Sequence, residues 1–278
     1  MAKLKEKVIN LLGTDLYYKV VGEGIPILML HGWGVDHRLM SGCMELVFKD
    51  GMQKFMRIYI DLPGMGQSKA SKSIKKSDDV LEIILAFIDK VIPEQKFILV
   101  GESYGGYLAR ALVQKKSSMI LGLLLICPLV YPGYRKGEVP AMTVLEKEMS
   151  LLESLNDRER SYFEYITIVQ NRKVWDRFKR SIYDALINQD SYFLNNVLDG
   201  AFTYDVDKLE KAFDKPSLIL VGRQDTEVGY KDQFKLLENY PRASFVVLDK
   251  AGHNLQIEQE ELFISVVTEW LKRVLAEL

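Results

Sequence analysis

One short run constrains this chain more than any other: Gly101-Glu102-Ser103-Tyr104-Gly105-Gly106. It follows the apolar stretch 97–100 directly and opens a helical pattern over 104–114. A serine at a sharp strand-to-helix turn must adopt a strained backbone. Glycines two before and two after it, Gly101 and Gly105, remove the Cβ atoms that would collide there. The hydroxyl then projects above the sheet beside a helix N-terminus, whose partial positive charge favours a developing anion. A GxSxG run arises by chance in about one chain in ten of this length, so the strand and helix around it are what make it informative.

The surrounding pattern fits such a turn. Residues 8–12 and 16–21 flank Gly13, Thr14 and Asp15 and predict a hairpin. The runs 27–30, 55–60, 97–100, 120–126 and 217–221 are continuously apolar, as buried parallel strands are. A further strand is predicted over 245–248. Helical patterns alternate with these strands. Val80, Ile83, Ile84, Phe87, Ile88 and Val91 share one helix face, with Ser77 as the predicted N-cap. A short helix is predicted over 231–238 and a closing helix over 258–275, the latter with Leu262, Phe263, Val266, Val267 and Trp270 on one face. Alternation of this kind implies an α/β fold, a parallel sheet covered on both sides. From about 129 to 205 the alternation stops. That segment shows helical periodicity, no convincing strand and many aromatics, including Tyr131, Tyr162, Phe163, Tyr165, Trp175 and Phe178. It reads as a helical cap over the sheet edge, its rings mostly forming its own core. The expected division is a core of 1–128 and 206–278 with a cap of 129–205.

Composition narrows the function classes. The chain has 278 residues, 48% hydrophobic and 27% charged, with a formal net charge of −1. No global basic field invites nucleic acid, and the lysine-rich stretch 69–76 lacks interleaved aromatics, so it reads as a solvated loop. Cys43 and Cys127 are too few for a disulfide framework. Cys127 follows an apolar run and reads as a buried small hydrophobe. No HExxH or CxxC spacing points to zinc. No apolar run reaches membrane-spanning length and the basic N-terminus lacks a signal-peptide core. A cytoplasmic protein without cofactor, nucleic-acid or membrane partner is the expectation, with a small-molecule substrate as its partner.

A serine hydroxyl is a weak nucleophile at neutral pH and needs a base, for which histidine is suited. The chain holds three histidines, His31, His37 and His253. Around a strand–serine–helix turn the chain order is serine, acid, histidine, which leaves His253, in Ala251-Gly252-His253-Asn254. The base must be held in one tautomer by an acceptor. Asp225 lies just after the strand 217–221, in the kind of loop where active-site groups collect in parallel sheets. Two backbone N–H donors should receive the oxyanion. One is that of Tyr104; the other is assigned to Trp33, in His31-Gly32-Trp33-Gly34. His31 is expected to brace that loop, and Gly32 lets its backbone approach a substrate.

These pieces, with Asp61-Leu62-Pro63-Gly64-Met65-Gly66-Gln67-Ser68, resemble the α/β-hydrolase superfamily over nearly the whole chain. The resemblance implies a mostly parallel eight-stranded sheet with a helical cap after the sixth strand. It also implies a catalytic triad of Ser103, Asp225 and His253 acting by acyl transfer. A carboxylic-ester hydrolase for small, partly apolar substrates is the leading expectation. The same triad could act on a carbon–carbon bond or an aminoacyl amide, or serve an acyltransferase, and a small-ligand binder is a third class. For an aminoacyl substrate a carboxylate on the cap would be needed; Glu153, Glu159 and Glu164 are available but read as a solvated helix face.

Overall fold

The computed structural model describes residues 4–49, 54–132, 137–198 and 205–278. Its chain opens with the antiparallel pair β1 (Leu4–Leu11) and β2 (Thr14–Val21), turned by Leu12 and Gly13, both at positive φ. There follow β3 (Ile25–Leu30), α1 (His37–Val47), β4 (Phe55–Ile60) and α2 (Ser77–Val91). Next come β5 (Phe97–Glu102), α3 (Tyr104–Lys116) and β6 (Ile120–Ile126). One eight-stranded sheet has the order β1-β2-β4-β3-β5-β6-β9-β10, where β9 is Ser217–Gly222 and β10 is Ala243–Leu248. The strand pairs from β4 to β10 are all parallel. The expected α/β class and the mostly parallel sheet are therefore observed.

The two faces of the sheet follow the two-residue period of a strand. Ile27, Met29, Ile98, Val100, Leu218 and Leu220 join a core with α1 and with α11 (Glu260–Leu275). Leu28, Leu30, Leu99, Leu125, Ile219 and Val221 join the other core, with α2 and α3. Each fully buried aliphatic or aromatic side chain contributes about 1.5–3 kcal/mol, so both layers of helices are pinned from the centre outwards.

Three local readings need correction. Lys76, not Ser77, is the N-cap of α2, because the Ser77 hydroxyl is inside the helix and bonds the Tyr104 phenol instead. The closing helix is α11, which starts two residues later than expected because Gln259 separates it from a preceding helical turn, α10 (Leu255–Glu258). Its buried stripe is Phe263, Val267, Trp270, Leu271 and Val274, whereas Leu262 is exposed and Val266 only half-buried. The helix 231–238 is a turn of α-helix, α9 (Lys231–Phe234), continued as 3₁₀.

The segment between β6 and β9 is mainly helical: α4 (Met149–Ser154), α5 (Asp157–Ile166), α6 (Arg172–Phe178), α7 (Asp184–Leu186) and α8 (Ser191–Phe193), with π-helical turns at Lys179–Tyr183 and Leu194–Leu198. It also holds a two-residue parallel pair, β7 (Glu146–Lys147) and β8 (Val169–Gln170), where no strand was expected. Phe163, Trp175 and Phe178 pack together, with ring centroids 5.2–6.0 Å apart. The segment rests on the loops at the C-terminal edge of the sheet: Asp190 donates to the Gly64 carbonyl, and Arg177 to that of Gly42 in α1. Three further aromatics that the sequence places in this segment, Tyr134, Phe202 and Tyr204, lie outside the described residues.

Candidate active site

Ser103 sits between β5 and α3 with φ 51° and ψ −114°, the strained backbone its sequence context calls for. A Cβ on Gly101 would stand 2.3 Å from the Gly105 carbonyl oxygen, and one on Gly105 would stand 2.3 Å from that of Leu30. Neither distance leaves room for a side chain, so the turn closes only with glycine at both positions. The turn is pinned to β6: Ser103 N–H donates to the Ile126 carbonyl at 2.9 Å, and Leu129 N–H to the Ser103 carbonyl at 3.0 Å.

Three side chains that the sequence sets far apart converge there. His253 Nε2 lies 3.0 Å from Ser103 Oγ, and His253 Nδ1 lies 2.9 Å from Asp225 Oδ2. Asp225 is fully buried just beyond β9, and its other oxygen accepts the N–H groups of Glu227 and Val228 at 2.8 and 3.0 Å. A carboxylate bonded on both oxygens cannot swing away from the imidazole. Burial acts to lower the His253 pKa, but the Asp225 charge and its hydrogen bond outweigh burial and hold it well above the ordinary imidazole value.

The neighbouring loops lie around Ser103. His31 is fully buried; Leu62 N–H donates to its Nε2 at 2.9 Å, so Nδ1 carries the proton and donates to the Gly32 carbonyl at 2.8 Å. Burial keeps its pKa below the usual value, which suits this neutral bracing role. Trp33 and Tyr104, the two expected N–H donors, both line the cavity above Ser103, their rings edge-to-face at 5.2 Å. Tyr104 opens α3, and first-turn N–H groups are not used by a helix's own carbonyls. The lysines of 69–76 are exposed, while Ile74 anchors that stretch in the core. Glu159 and Glu164 are engaged by Lys179, Arg160 and Lys147 at the surface, and Glu153 is exposed.

The cavity measures about 450 Å³. Val35 and Leu39 line it from the sheet side, and Tyr162, Tyr165, Ile166 and Leu186 from the inserted segment. Three carboxyl groups that sequence reasoning passed over shape this region. Glu102 and Glu227 line the cavity itself. Glu258, at the end of α10, accepts Gly252 N–H at 2.6 Å and Ile168 N–H at 2.8 Å, with a longer bond from Val169 at 3.4 Å. It thereby ties the histidine loop to β8 and the residue before it. Two side-chain sets gather atoms a metal could use, Cys127-Asp225-His253 and Asp36-His37-Asp61. In the second, Arg38 occupies Asp36, and Asp61 accepts from His37 and Gln67.

Comparison with known proteins accounts for this architecture. The family model of the alpha/beta hydrolase fold matches residues 25–260. The chain belongs to the α/β-hydrolase family. Among α/β-hydrolases it is 26% identical to the AB hydrolase superfamily protein YisY of Bacillus subtilis, over 92% of this chain and 95% of that one. It is 25% identical to a pimeloyl-[acyl-carrier protein] methyl ester esterase of Legionella pneumophila, over 90% and 97%. Among solved structures, an alpha/beta superfamily hydrolase from Oenococcus oeni superposes with a TM-score of 0.87 at 28% identity, covering 97% of this chain and 99% of that one. Among the described residues, no helix is long and apolar enough to cross a membrane.

Proposed function

We propose that the protein is a serine hydrolase that cleaves small, partly apolar carboxylic esters through an acyl-enzyme on Ser103. The observation that carries this reading is the unbroken chain of contacts from Asp225 through His253 to Ser103 Oγ, at 2.9 and 3.0 Å, opening into a largely apolar cleft. The Legionella relative's name, a methyl ester esterase, supports the choice of bond.

In this reading Ser103 Oγ attacks the ester carbonyl as its proton passes to His253 Nε2. The carbonyl π electrons move to oxygen, and the backbone N–H groups of Trp33 and Tyr104 receive that oxyanion, each contributing about 10²–10³ in rate. Collapse expels the alkoxide, which takes the proton from Nε2 and leaves as an alcohol. Water then attacks the acyl carbon and gives a proton to Nε2. Breakdown of the second tetrahedral intermediate releases the carboxylic acid and returns the proton to Ser103. Residues 129–205 act as the cap, and Tyr162, Tyr165 and Leu186 help to set the acyl pocket.

Ser103→Ala is expected to lower turnover of a p-nitrophenyl ester by about 10⁴-fold or more, and a fluorophosphonate is expected to label the native protein at Ser103 alone. Retained ester hydrolysis in purified Ser103→Ala would remove the nucleophile assignment.

A further inference from the structure

His253 and Asp225 have a third neighbour that the proposed reaction does not use. Cys127 follows β6 directly and is fully buried. Its backbone lies in the left-handed region, with φ 40°, and its N–H donates to the Leu220 carbonyl of β9 at 2.8 Å. A residue other than glycine keeps such a conformation only where its surroundings hold it, so the thiol has a fixed place. Its Sγ lies 3.8 Å from the Gly252 carbonyl oxygen, on the histidine loop. Cys127 Sγ, a ring nitrogen of His253 and a carboxylate oxygen of Asp225 all lie within 4.8 Å of one another. A tetrahedral zinc ion, with bonds of about 2.0–2.3 Å, holds such atoms about 3.3–3.6 Å apart, so the set closes on an ion with small side-chain shifts. Charge and softness say which ion. A thiolate and a carboxylate together cancel a divalent cation, and a neutral set is the one least penalised away from water. Sulfur with imidazole selects zinc or cadmium over magnesium and calcium. His253 lines the cavity, which gives the ion its way in from solution.

Resting on the serine-esterase reading above, we infer that Cys127, His253 and Asp225 form an inhibitory site for a thiophilic divalent cation such as zinc, which disables the base when it binds. In the neutral imidazole that catalysis needs, the one ring proton sits on Nδ1, facing Asp225 Oδ2 at 2.9 Å. The ion takes that position. The thiol proton is released to solvent as the metal–sulfur bond forms, and the ring proton passes from Nδ1 to Nε2. Nε2 faces Ser103 Oγ at 3.0 Å; once protonated it is a donor there and cannot receive the serine's proton. The other Asp225 oxygen keeps the N–H groups of Glu227 and Val228, so the carboxylate meets the ion already held in place.

Zinc chloride titrated into p-nitrophenyl ester hydrolysis, in buffer free of chelator, tests this on the native protein and on Cys127→Ala. Zinc is expected to inhibit the native protein, with activity restored by EDTA, while magnesium at the same concentration leaves the rate unchanged. Loss of one ligand should weaken zinc inhibition in Cys127→Ala by about tenfold or more. Equal inhibition of the two proteins, or none of the native protein at millimolar zinc, overturns the inference while leaving the esterase reading standing. Cadmium supplies a readout that needs no turnover: a near-ultraviolet thiolate-to-cadmium absorption band in the native protein, kept in Cys43→Ala and lost in Cys127→Ala. No band, or a band that Cys127→Ala keeps, overturns the inference. Hydrolysis of no ester by the native protein overturns the esterase reading, and the cadmium band then decides on the metal site by itself. Should Cys127→Ala fail to fold, Cys43→Ala decides, since Cys127 is then the one thiol left in the chain: a band supports the site and its absence overturns it.

Discussion

Two glutamates of the same site region, Glu102 and Glu258, are almost equally buried, and burial pushes both carboxyls up to about 7. Their surroundings are opposite. Glu258 spends its oxygens on three backbone N–H groups from two separate segments. Glu102 has an oxygen with no partner among the described residues and another held 3.5 Å from an imidazole. The difference separates a carboxyl whose oxygens are both spent on the backbone from one that sits beside the imidazole with an oxygen left over. Burial alone does not distinguish them; the satisfaction of each oxygen does.

The largest expected effect breaks this comparison at its structural end. Glu258→Ala strands the N–H groups of Gly252 and Ile168 and should cost about 4 kcal/mol of stability, read as a drop in Tm. Activity should fall with it, since Gly252 precedes His253, the base under the proposed function. A loss no greater than that of Glu102→Ala would mean that the two carboxyls are equivalent.

The next effect is shared by both. Each folded-state pKa is raised from 4.5 to about 7, so the folded protein keeps two protons that the unfolded chain has released. The stability these groups contribute is full below about pH 4.5 and declines as pH rises to about 7, by roughly 3 kcal/mol for each group. Urea unfolding at a series of pH values should show that decline, and each Glu→Gln variant should remove its own share. A rise in stability over the same interval would contradict both assignments.

Smaller effects sharpen the functional end. Glu102→Gln, losing a carboxyl that lacks its full set of partners, should leave stability at pH 7 unchanged or raise it by about 1 kcal/mol. Glu102 also helps to hold the His253 pKa up. Its replacement should move the acid limb of the kcat/KM profile to lower pH, by about one unit. An unmoved limb would show that the two groups do not sense each other.

The sheet and the turn at Ser103 were legible in the sequence because their signals are local. Gly101 and Gly105 stand two residues either side of Ser103, and the strands between them and Ile219 are unbroken apolar runs. Asp225 and His253 were legible because each stands just beyond a strand end, and the fold puts His253 between Asp225 and the serine, in hydrogen-bond reach of both. Glu258 was not, because its partners Ile168 and Val169 are 90 and 89 positions away, and nothing around it in sequence marks it out from the helix it ends. Glu102 was in plain view inside the motif, but its missing hydrogen bond is a property of packing. The pair at Glu146–Lys147 and Val169–Gln170 is too short to show any period, and Ser77 lost the capping role to its neighbour because Tyr104 recruited its hydroxyl.

Asp225 has one oxygen on the imidazole and the other on the backbone of Glu227 and Val228, two residues that also wall the cavity. Orientation of the His253 imidazole and the contour of that wall are therefore set by a single side chain. Remodelling residues 226–228 to widen that wall would disturb the Asp225–His253 contact in the same stroke. An evolving or engineered descendant has its freedom on the opposite wall, at Tyr162, Tyr165 and Leu186, where no triad contact is at stake.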